Sequence, residues 1–558
     1  GAQMLPNTIE KAFERYGGQA LYHQLVDEIL IEDGRAYGVR LQDKTEIFAD
    51  RVIANATVWN IYGHLVRQQH ISPDRLEWAQ SLIPTFPSMT LYMVVDREAI
   101  PEDSFPWEIF IENRKIIDSS DLTLYINSLV DRSLCPPDEL VVMAISPNFC
   151  SWPHTDDPTY RSPEYEDQKR SEAERMIDQI EQHIPGFKQH IRSLIIGSPT
   201  TIERYLLKNG GAVGGPKNQI GQEMLKRLHA RSEWKNLYFC GDSTVMGTGA
   251  PATVVSGIGA ANVILRELHQ PEYDTRVFPE EVVHFVQPPY HRPDYISGTP
   301  VSVENAFLAA AKCQGCLHPR CRKGCPAGID IPGFLRRMEA KNYIGAARLI
   351  HEKNPFGETC GLTCAANHLC QQFCYRRDFS GEPVNIAELE RWVCEQAGED
   401  GWQKHEKSTV NGEIAIIGGG LAAMSCAYYL ALSGWKISIF APENQPGGKL
   451  SEKMGSDPVL QASFNRDIRG IIAEEIHFFG NQNPVHEADL ERMLKEYACI
   501  FITKDQFAKS ENFYEERENF PGLFIGDEFS MNGIPPVEAV ACGRKTAVEI
   551  YRYLRKDL

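Results

Sequence analysis

The chain has 558 residues, of which 42% are hydrophobic and 24% charged, an ordinary composition for a globular protein of roughly three to four domains. Its net charge of -18 argues against nucleic-acid binding, because phosphate-binding surfaces need clustered Lys and Arg. No window approaches the roughly 18 apolar residues of a membrane span, which leaves only peripheral membrane contact open. Its 15 cysteines, without an export signal, favour metal or redox chemistry in a reducing cytoplasm over disulfides.

Residues 19–57 are predicted to form paired strands, because apolar and polar residues alternate on both sides of the turn at residues 32–35. By pattern alone, this could be any β-meander. The stretch VDEILIEDGRAYGVRLQDKTEIFADRVIANA, residues 26–56, resembles the interior of the phytoene desaturase and carotenoid isomerase family of flavoproteins. That resemblance implies that the backbone of Val26 binds the adenine of FAD.

A second segment, NLYFCGDSTVMGTGAPATVVSGIGAANVIL (residues 236–265), predicts a strand, a glycine-rich turn and a helix of small residues. It is similar to the C-terminal FAD motif of the same family. The resemblance implies that FAD is bound by Gly241, Asp242, Gly247, Gly249 and Ala250. A carboxylate can accept hydrogen bonds from ribityl or ribose hydroxyls, and the glycines let the backbone approach a flavin ring. A strand–turn–helix without a ligand is the alternative.

The desaturase-like segment covers residues 1–268 and includes a helix predicted near Tyr165, where Met176, Ile177, Ile180 and Ile184 recur at helical spacing. In that family a glycine-rich dinucleotide fold precedes this region. Here no G-x-G-x-x-G motif occurs before residue 300. We therefore expect either that a partner subunit supplies the missing fold, or that the sequence is processed or incompletely represented.

Residues 269–304 are a predicted proline-rich linker. Eight cysteines of the next region, residues 305–400, fall into two groups with the spacings C-x2-C-x4-C-x3-C and C-x3-C-x5-C-x3-C. Short irregular spacings near Gly and Pro let several thiolates converge on one inorganic cluster, and the pair Cys325-Pro326 often closes a ferredoxin-type run. Zinc is the rival metal, but zinc sites favour two separated C-x2-C pairs and this region has one.

This region, with a predicted helical stretch at residues 331–351 and the closing motif GEPVNIAELERWV, strongly resembles the iron–sulfur domain of the glutamate synthase small subunit and of dihydropyrimidine dehydrogenase. The resemblance implies two [4Fe-4S] clusters. The first would be held by Cys313, Cys316, Cys321 and Cys374, and the second by Cys325, Cys364, Cys370 and an oxygen of Glu390. A solvated helix surface is the alternative for Glu390. Cys360 matches a position that is not a ligand, and Cys394 is interpreted as a core residue.

The last domain, residues 410–558, is predicted to open with a strand, a glycine-rich turn and a helix, the arrangement of a dinucleotide-binding fold. Together with a second Gly-Asp pair at the end of a later strand, it resembles the FAD domain that follows the iron–sulfur domain in the glutamate synthase family. The resemblance implies that FAD is bound by Gly418, Gly420, Ala423, Gly447, Gly448, Lys449, Gly526 and Asp527.

Two features depart from that family. Ala441 stands where an acidic residue would bind the adenosine ribose, and Glu443 is out of register for a direct substitute. Gly526 follows the strand that ends at Thr503 so closely that no NADPH-binding domain fits between them, since one βαβ unit needs roughly thirty residues or more. We therefore expect no direct reduction of this flavin by a pyridine nucleotide.

These segments predict a multidomain α/β and α+β protein, in which FAD-binding Rossmann-like folds of the GR2 type flank a mainly helical domain with two [4Fe-4S] clusters. One FAD is expected in the C-terminal domain, and a second in the N-terminal segment if its missing fold is supplied. The predicted function is a FAD-dependent iron–sulfur oxidoreductase that relays electrons between flavins and acts on an apolar or polyene-like substrate.

Two alternatives stay open. One is an electron-transfer subunit of a larger redox complex without a substrate of its own, and the other is a degenerate scaffold that has lost one flavin. The missing folds also predict a partner subunit or an electron-carrier protein. No catalytic acid or base is identifiable, because His64, His70, His154 and His351 carry no motif that distinguishes them from surface or core histidines.

Overall fold

The structure, a computed structural model, describes residues 3–113, 115, 121–274, 295–316, 318–403, 410, 412–454, 457–472, 476–482, 486–506, 520–529 and 535–555. Two compact units divide the chain: the first comprises residues 21–292, and the second comprises residues 2–20 and 293–558. Residues 2–20 therefore fall in the second unit, whereas the sequence assigns them to the desaturase-like segment. Much of the predicted linker, residues 275–294, lies outside the described residues.

The first unit is an α+β structure with two antiparallel sheets and one parallel strand pair. Its strands are β1 (Val26–Glu32), β2 (Arg35–Leu41), β3 (Glu46–Phe48), β4 (Val52–Ala54), β5 (Ser88–Asp96), β6 (Trp107–Ile111), β7 (Asp121–Tyr125), β8 (Glu139–Pro147), β9 (Ile191–Gly197) and β10 (Leu237–Phe239). Its helices are α2 (Val58–Asn60), α3 (Pro73–Ser81), α4 (Pro163–His183), α5 (Pro199–Leu206) and α6 (Ala250–Glu267).

Strands β1, β2 and β3 form the predicted meander, in which Val26 pairs with Leu41. Strand β4 leaves this meander and pairs in parallel with β10, with Ala54 opposite Phe239. Because parallel strands end at the same edge, the glycine-rich turn after β10 lies against the residue that follows β4, Asn55. The two motifs that resemble the desaturase family are thereby adjacent in space.

The second sheet of this unit has five antiparallel strands in the order β6-β7-β8-β5-β9. Alternate residues of β5, such as Leu91 and Met93, point into a core that helix α4 covers. The periodic positions Met176, Ile177 and Ile180 of α4 are buried there, as their spacing predicts.

The second unit contains a helical domain and a parallel sheet. Helices α1 (Met4–Arg15), α7 (Ala306–Ala310), α8 (Arg320–Lys323), α9 (Ile331–Glu339), α10 (Tyr343–His351), α11 (Gly357–Thr363), α12 (Arg376–Ser380) and α13 (Ile386–Ala397) build the helical domain. The remaining elements are β11 (Glu413–Ile417), α14 (Leu421–Leu432), β12 (Lys436–Phe440), α15 (Lys449–Met454), α16 (Pro458–Ile471), β13 (Ile476–Phe479), α17 (Glu487–Glu496), β14 (Cys499–Thr503), β15 (Leu523–Gly526) and α18 (Pro536–Arg555).

Two features of the helical domain differ from the sequence-based prediction. The single helical stretch predicted over residues 331–351 is two helices, because Lys341 adopts a positive φ of 56° and the side chain of Asn342 caps α10. Helix α1 belongs to this domain because Glu10 and Glu14 pair with the buried guanidinium of Arg337, at 2.9 and 3.0 Å. A charge buried to this extent needs such partners, and they hold α1 against α9.

The parallel sheet has the strand order β13-β12-β11-β14-β15. Strand β11 is central, and its residues from Ile414 to Ile417 are buried, as expected of a parallel strand covered on both faces. Helix α14 follows β11 and packs against α18, where Ser425 Oγ donates to Val540 O at 2.9 Å. This order is that of the dinucleotide-binding folds, whose ligands lie at the carboxyl ends of the strands.

Candidate functional site

The four cysteines that the resemblance assigns to the first cluster converge in the helical domain. Cys313 and Cys316 follow α7, Cys321 lies in α8, and Cys374 follows the turn at residues 370–373. Burial, together with a smaller contribution from the neighbouring thiols of Cys316 and Cys374, raises the pKa of Cys313 to about 11. Burial likewise raises the pKa of Cys321 to about 12, and the other three cysteines add to the effect. These four residues, which the resemblance assigns to the first cluster, therefore share one site.

The four residues that the resemblance assigns to the second cluster also lie close together. They are Cys325, Cys364, Cys370 and Glu390, whose carboxyl group projects from α13. Burial raises the pKa of Cys325 to about 11, and Glu390 is the strongest charged contributor after burial. Burial also raises the pKa of Cys370, with further contributions from Glu390, Cys325 and Cys364. Glu390 is itself only 7% exposed, so the alternative of a solvated helix surface is wrong.

Both groups fit an inorganic cluster better than a single metal ion. A thiolate must lose its proton to bind metal, and buried thiols whose pKa values are raised do so only beside a positive charge. The four sulfurs around a tetrahedral zinc ion lie about 3.8 Å apart, given Zn–S bonds near 2.3 Å. Among the described residues, the ligand atoms of Asp96, Glu98 and His190 meet within 4.8 Å, but no three of these cysteines do. The resemblance assigns these cysteines to [4Fe-4S] clusters, which are larger than a single ion.

Asn354 organises the second group, although no sequence pattern identified it. Its Nδ2 donates to Glu390 Oε1 at 3.1 Å, and its Oδ1 accepts from the backbone N of Phe356 at 3.0 Å. Burial raises the pKa of Glu390 and the hydrogen bond from Asn354 lowers it. Because burial is the larger effect, the pKa is about 8. The thiol of Cys360 also points to Asn354, with its Sγ 3.8 Å from Oδ1. Asn354 thus fixes the orientation of the carboxyl group.

The helical domain is joined to the parallel sheet by buried polar contacts within the same unit. Asp467 of α16 accepts hydrogen bonds from the backbone N and the Oγ1 of Thr359, at 2.8 and 2.7 Å. Arg466 pairs with Glu358, 2.6 Å away. Because α11 is the helix that leads to Cys364, these contacts place the second cysteine group next to the dinucleotide-binding fold.

The C-terminal fold brings most of its predicted binding residues to one turn. Gly418 has a φ of 124°, and a Cβ there would overlap Thr503 Oγ1. Gly447 donates its N–H to the Gly419 carbonyl at 2.8 Å, and a Cβ on Gly448 would lie 3.0 Å from Gly420 Cα. The turn leads into helix α14, whose first residues include Ala423. Only glycine permits this close approach of backbone segments at the sheet edge.

Charged residues surround that turn. Lys449 lies 3.5 Å from Asp505, and Asp527, which follows Gly526 at the end of β15, pairs with Lys504 at 2.7 Å. The carboxyl group of Glu528, a residue that sequence reasoning did not single out, accepts from the backbone N of Ala422 at the start of α14. Burial raises the pKa of Glu528 to about 7, although these backbone donors lower it.

The N-terminal flavin motif is also compact. Gly241 follows β10 with a φ of 97°, and a Cβ there would overlap Asn55 Oδ1. Asp242 forms an ion pair with Lys208, and both side chains are largely buried. Gly247 and Gly249 have φ values of 83° and 110°, and α6 begins at Ala250. Val26 lies at the start of β1. Of these glycines only Gly249 has open space where a Cβ would stand, whereas Asn55 and Arg227 crowd Gly241 and Gly247.

The four candidate histidines have other surroundings. His64 lies 3.6 Å from Asp27, and His154 pairs with Glu203 at 2.9 Å. His70 lies in a short turn, and its carbonyl accepts from the indole of Trp234. His351 is buried in the helical domain. None of them is thereby assigned a catalytic role. Among the described residues, no helix has both the length and the apolar character needed to cross a bilayer.

Comparison with known families supports both resemblances. Residues 297–402 match the family model described as dihydropyrimidine dehydrogenase domain II, 4Fe-4S cluster, and residues 416–461 match that of an NAD(P)-binding Rossmann-like domain. The predicted helical iron–sulfur region and the Rossmann-like C-terminal fold are confirmed by these matches.

Individual relatives fall into the two predicted groups. The NAD-dependent dihydropyrimidine dehydrogenase subunit PreT homolog of Salmonella typhi is 28% identical over 199 residues, which are 36% of this chain and 48% of that protein. Prolycopene isomerase 2, chloroplastic, of an Oncidium hybrid cultivar is 26% identical over 257 residues, 45% of this chain and 43% of that protein. The chain thus spans less than half the length of each of these relatives.

Among solved structures, an oxidoreductase from Methanosarcina mazei aligns with 46% of this chain and 52% of its own, at 18% identity and a TM-score of 0.32. The sequence relatives are those expected of an iron–sulfur flavoprotein oxidoreductase.

Proposed function

We propose that the chain is an iron–sulfur flavoprotein oxidoreductase that passes electrons through two [4Fe-4S] clusters, between a dinucleotide site in its C-terminal domain and a flavin in its N-terminal segment. The observation that carries this proposal is the convergence of eight candidate ligand side chains in two separate sets, of which Cys370 and Glu390 are buried and the six other cysteines are partly buried. Those sets lie in one unit with the dinucleotide-binding sheet. A bound flavin exchanges two electrons with an organic substrate, whereas a cubane cluster passes one at a time.

The protein's own contribution is to hold and insulate these groups. Cys313, Cys316, Cys321 and Cys374 would ligate the first cluster, and Cys325, Cys364, Cys370 and Glu390 the second. Cys370 and Glu390 are buried, so the surroundings of the second cluster would exclude water and lower the local dielectric there. The hydrogen bond from Asn354 directs one carboxyl oxygen of Glu390, so the other is left to face the sulfurs. A carboxylate in place of a thiolate gives the two clusters different surroundings, and with them different potentials.

The contacts between the two domains would keep the electron path short. Asp467 and Arg466, on the sheet side, bind the helix that leads to Cys364. Tyr429 of α14 also donates to the carbonyl of His351 in the helical domain, at 3.0 Å. These contacts would hold the second ligand set against the dinucleotide fold.

An apolar, polyene-like substrate is the proposed class for the N-terminal segment. The support is its likeness to prolycopene isomerases, whose name specifies a polyene. At Gly249 of the glycine-rich turn, the space where a Cβ would stand is open, which would let a flavin ring approach the backbone. A partner protein is part of the proposal, because one relative is named as a subunit of a dehydrogenase.

A second candidate function is an electron-transfer subunit without a substrate of its own. The observation that favours it is the relative that is named as a subunit of a dehydrogenase. In this function the same clusters would carry electrons to or from a partner protein, and the partner would hold the organic substrate.

The two functions are separated by reoxidation of the reduced protein. Full-chain protein with its clusters is reduced anaerobically and mixed with carotenoid polyenes, while EPR follows the reduced clusters. We expect the cluster signals to decay when a polyene is added. Signals that persist with every polyene, but decay with a protein that co-purifies at equal stoichiometry, would favour the subunit function. A reduced protein without any cluster signal would contradict both.

A further inference from the structure

The amino end of helix α14 is already occupied by a side chain of the protein. The backbone N of Ala422 lies 3.1 Å from Glu528 Oε1 and 3.0 Å from Oε2, and the backbone N of Phe529 donates to Oε1 at 2.8 Å. Glu528 is only 7% exposed. The carboxyl group thus satisfies N–H groups that have no partner within the helix and lies at the positive end of the helix dipole.

This position coincides with the phosphate-binding element of a dinucleotide fold. The turn from Gly418 to Gly420 connects the central strand β11 to α14, and the helix start behind such a turn is where a pyrophosphate binds. A Cβ on Gly420 would overlap the carboxyl group of Glu528, so the side chain touches the glycine that should face the phosphates. A carboxylate and a pyrophosphate are both anions and require the same donors. They cannot occupy this helix end together.

The rest of the site retains a dinucleotide-binding feature that lacks a partner. Oε2 of Glu443 is buried and has no hydrogen-bond partner among the described residues. It lies 3.4 Å from the point where a Cβ on Gly419 would be, at the face of the same turn. A buried carboxylate oxygen is costly unless a donor reaches it, and the hydroxyls of an adenosine ribose are such donors. Glu443 is out of register with the usual ribose-binding residue, but its unpartnered Oε2 offers an acceptor at the face of this turn.

We propose that Glu528 is an intramolecular anion that competes with the pyrophosphate of a dinucleotide for the amino end of α14, so that the dinucleotide binds only when the Glu528 side chain leaves. This inference rests on the proposed dinucleotide site of the C-terminal domain. Glu528 weakens the affinity of that site and holds the helix end together when no dinucleotide is bound. The site would then exchange its dinucleotide with solution more readily than a fold without such a residue.

The test compares dinucleotide affinity and thermal stability in the full chain with its clusters. FAD and NADH are titrated separately into flavin-free wild type, Glu528→Gln and Glu528→Ala, and binding is followed by fluorescence. Glu538→Ala is the matched control, because it removes the same charge at an exposed position in the first turn of α18. The melting temperature of each dinucleotide-free protein is measured in parallel.

We expect Glu528→Ala to bind its dinucleotide about tenfold or more tightly than wild type, since about 1.4 kcal/mol of competing interaction corresponds to a factor of ten. Without dinucleotide it should melt at a lower temperature. The Gln side chain has the shape of Glu and keeps one oxygen acceptor. The affinity and melting temperature of Glu528→Gln should therefore lie between those of wild type and Glu528→Ala, and Glu538→Ala should match wild type.

Equal or weaker binding by both Glu528 variants would overturn the competition while leaving the dinucleotide site in place. If neither wild type nor either variant binds FAD or NADH, the C-terminal dinucleotide site is wrong and the inference falls with it. Tighter binding of FAD alone, or of NADH alone, supports the inference and identifies the dinucleotide.

Discussion

Acidification should weaken the helical domain through one buried histidine, His351, at the end of α10. Its Nδ1 lies 2.9 Å from the carbonyl of Gly401, and its ring stacks on Trp402 with a centroid separation of 3.9 Å. Nε2 is buried without a hydrogen-bond partner among the described residues. Because a carbonyl only accepts hydrogen bonds, Nδ1 carries the proton of the neutral ring. A second proton, on Nε2, would be a buried donor without an acceptor.

Burial lowers the pKa of His351 from 6.5 to about 4. In the unfolded chain the ring becomes charged below pH 6.5, whereas in the folded protein it stays neutral until pH approaches 4. The unfolded state therefore binds more protons in this window, and stability is lost as the pH falls. At pH 5 the difference amounts to about 2 kcal/mol for this residue alone.

Hydrogen exchange of the α10 amides, corrected for intrinsic exchange rates, measures this loss between pH 7.5 and pH 5. The wild type should lose about 2 kcal/mol more of its opening free energy than His351→Gln, whose side chain stays neutral. His477→Gln, an exposed position on β13, is the control and should behave as wild type. The reasoning is refuted if His351→Gln and wild type show the same change with pH.

Two further predictions concern contacts that position the sites. Asp467→Ala removes the acceptor for the backbone N and hydroxyl of Thr359 and should destabilise the second unit by about 1–3 kcal/mol in urea unfolding, because buried donors lose their partner. Asp467→Asn keeps an acceptor oxygen, so equal losses in both variants would contradict this explanation. Gly241→Ala should cost the first unit about 1–3 kcal/mol through the positive φ and the overlap with Asn55, measured as a lower melting temperature. Gly257→Ala is its control: it lies in helix α6 with open space around it and should be neutral or stabilising, and a Gly241→Ala protein as stable as that control would refute the strain.

Local patterns predicted the elements that carry chemistry. The strands that end at Phe440, Thr503 and Gly526 lie where the sequence predicts them. Each is a short apolar run, as is typical of a buried parallel strand. The spacing of the cysteines anticipated two groups, and the family resemblance assigned Cys374 to the first, which the structure places beside Cys313.

Contacts between distant parts of the chain were not predictable in this way. Asp467 and Thr359 are separated by 108 residues, and Glu528 and Ala422 by 106. Each is a single acidic residue without a motif, and only the tertiary fold shows what it binds. Helix α1 is a similar case, since its place in the second unit depends on the burial of Arg337 far along the chain. The break between helices α9 and α10 at Lys341 was not predictable, because no Gly or Pro occurs at this position.

The assignment of cluster ligands is the central claim, and iron and acid-labile sulfide per chain test it most directly. Wild-type protein should contain about eight iron atoms, since each of two [4Fe-4S] clusters holds four. Cys374→Ala should retain about four, because the resemblance assigns Cys374 to the first cluster, whereas Cys360→Ala should retain about eight, because the resemblance does not assign the buried Cys360 as a ligand. A Cys374→Ala protein with its full iron content, or a Cys360→Ala protein that loses half, would contradict the account.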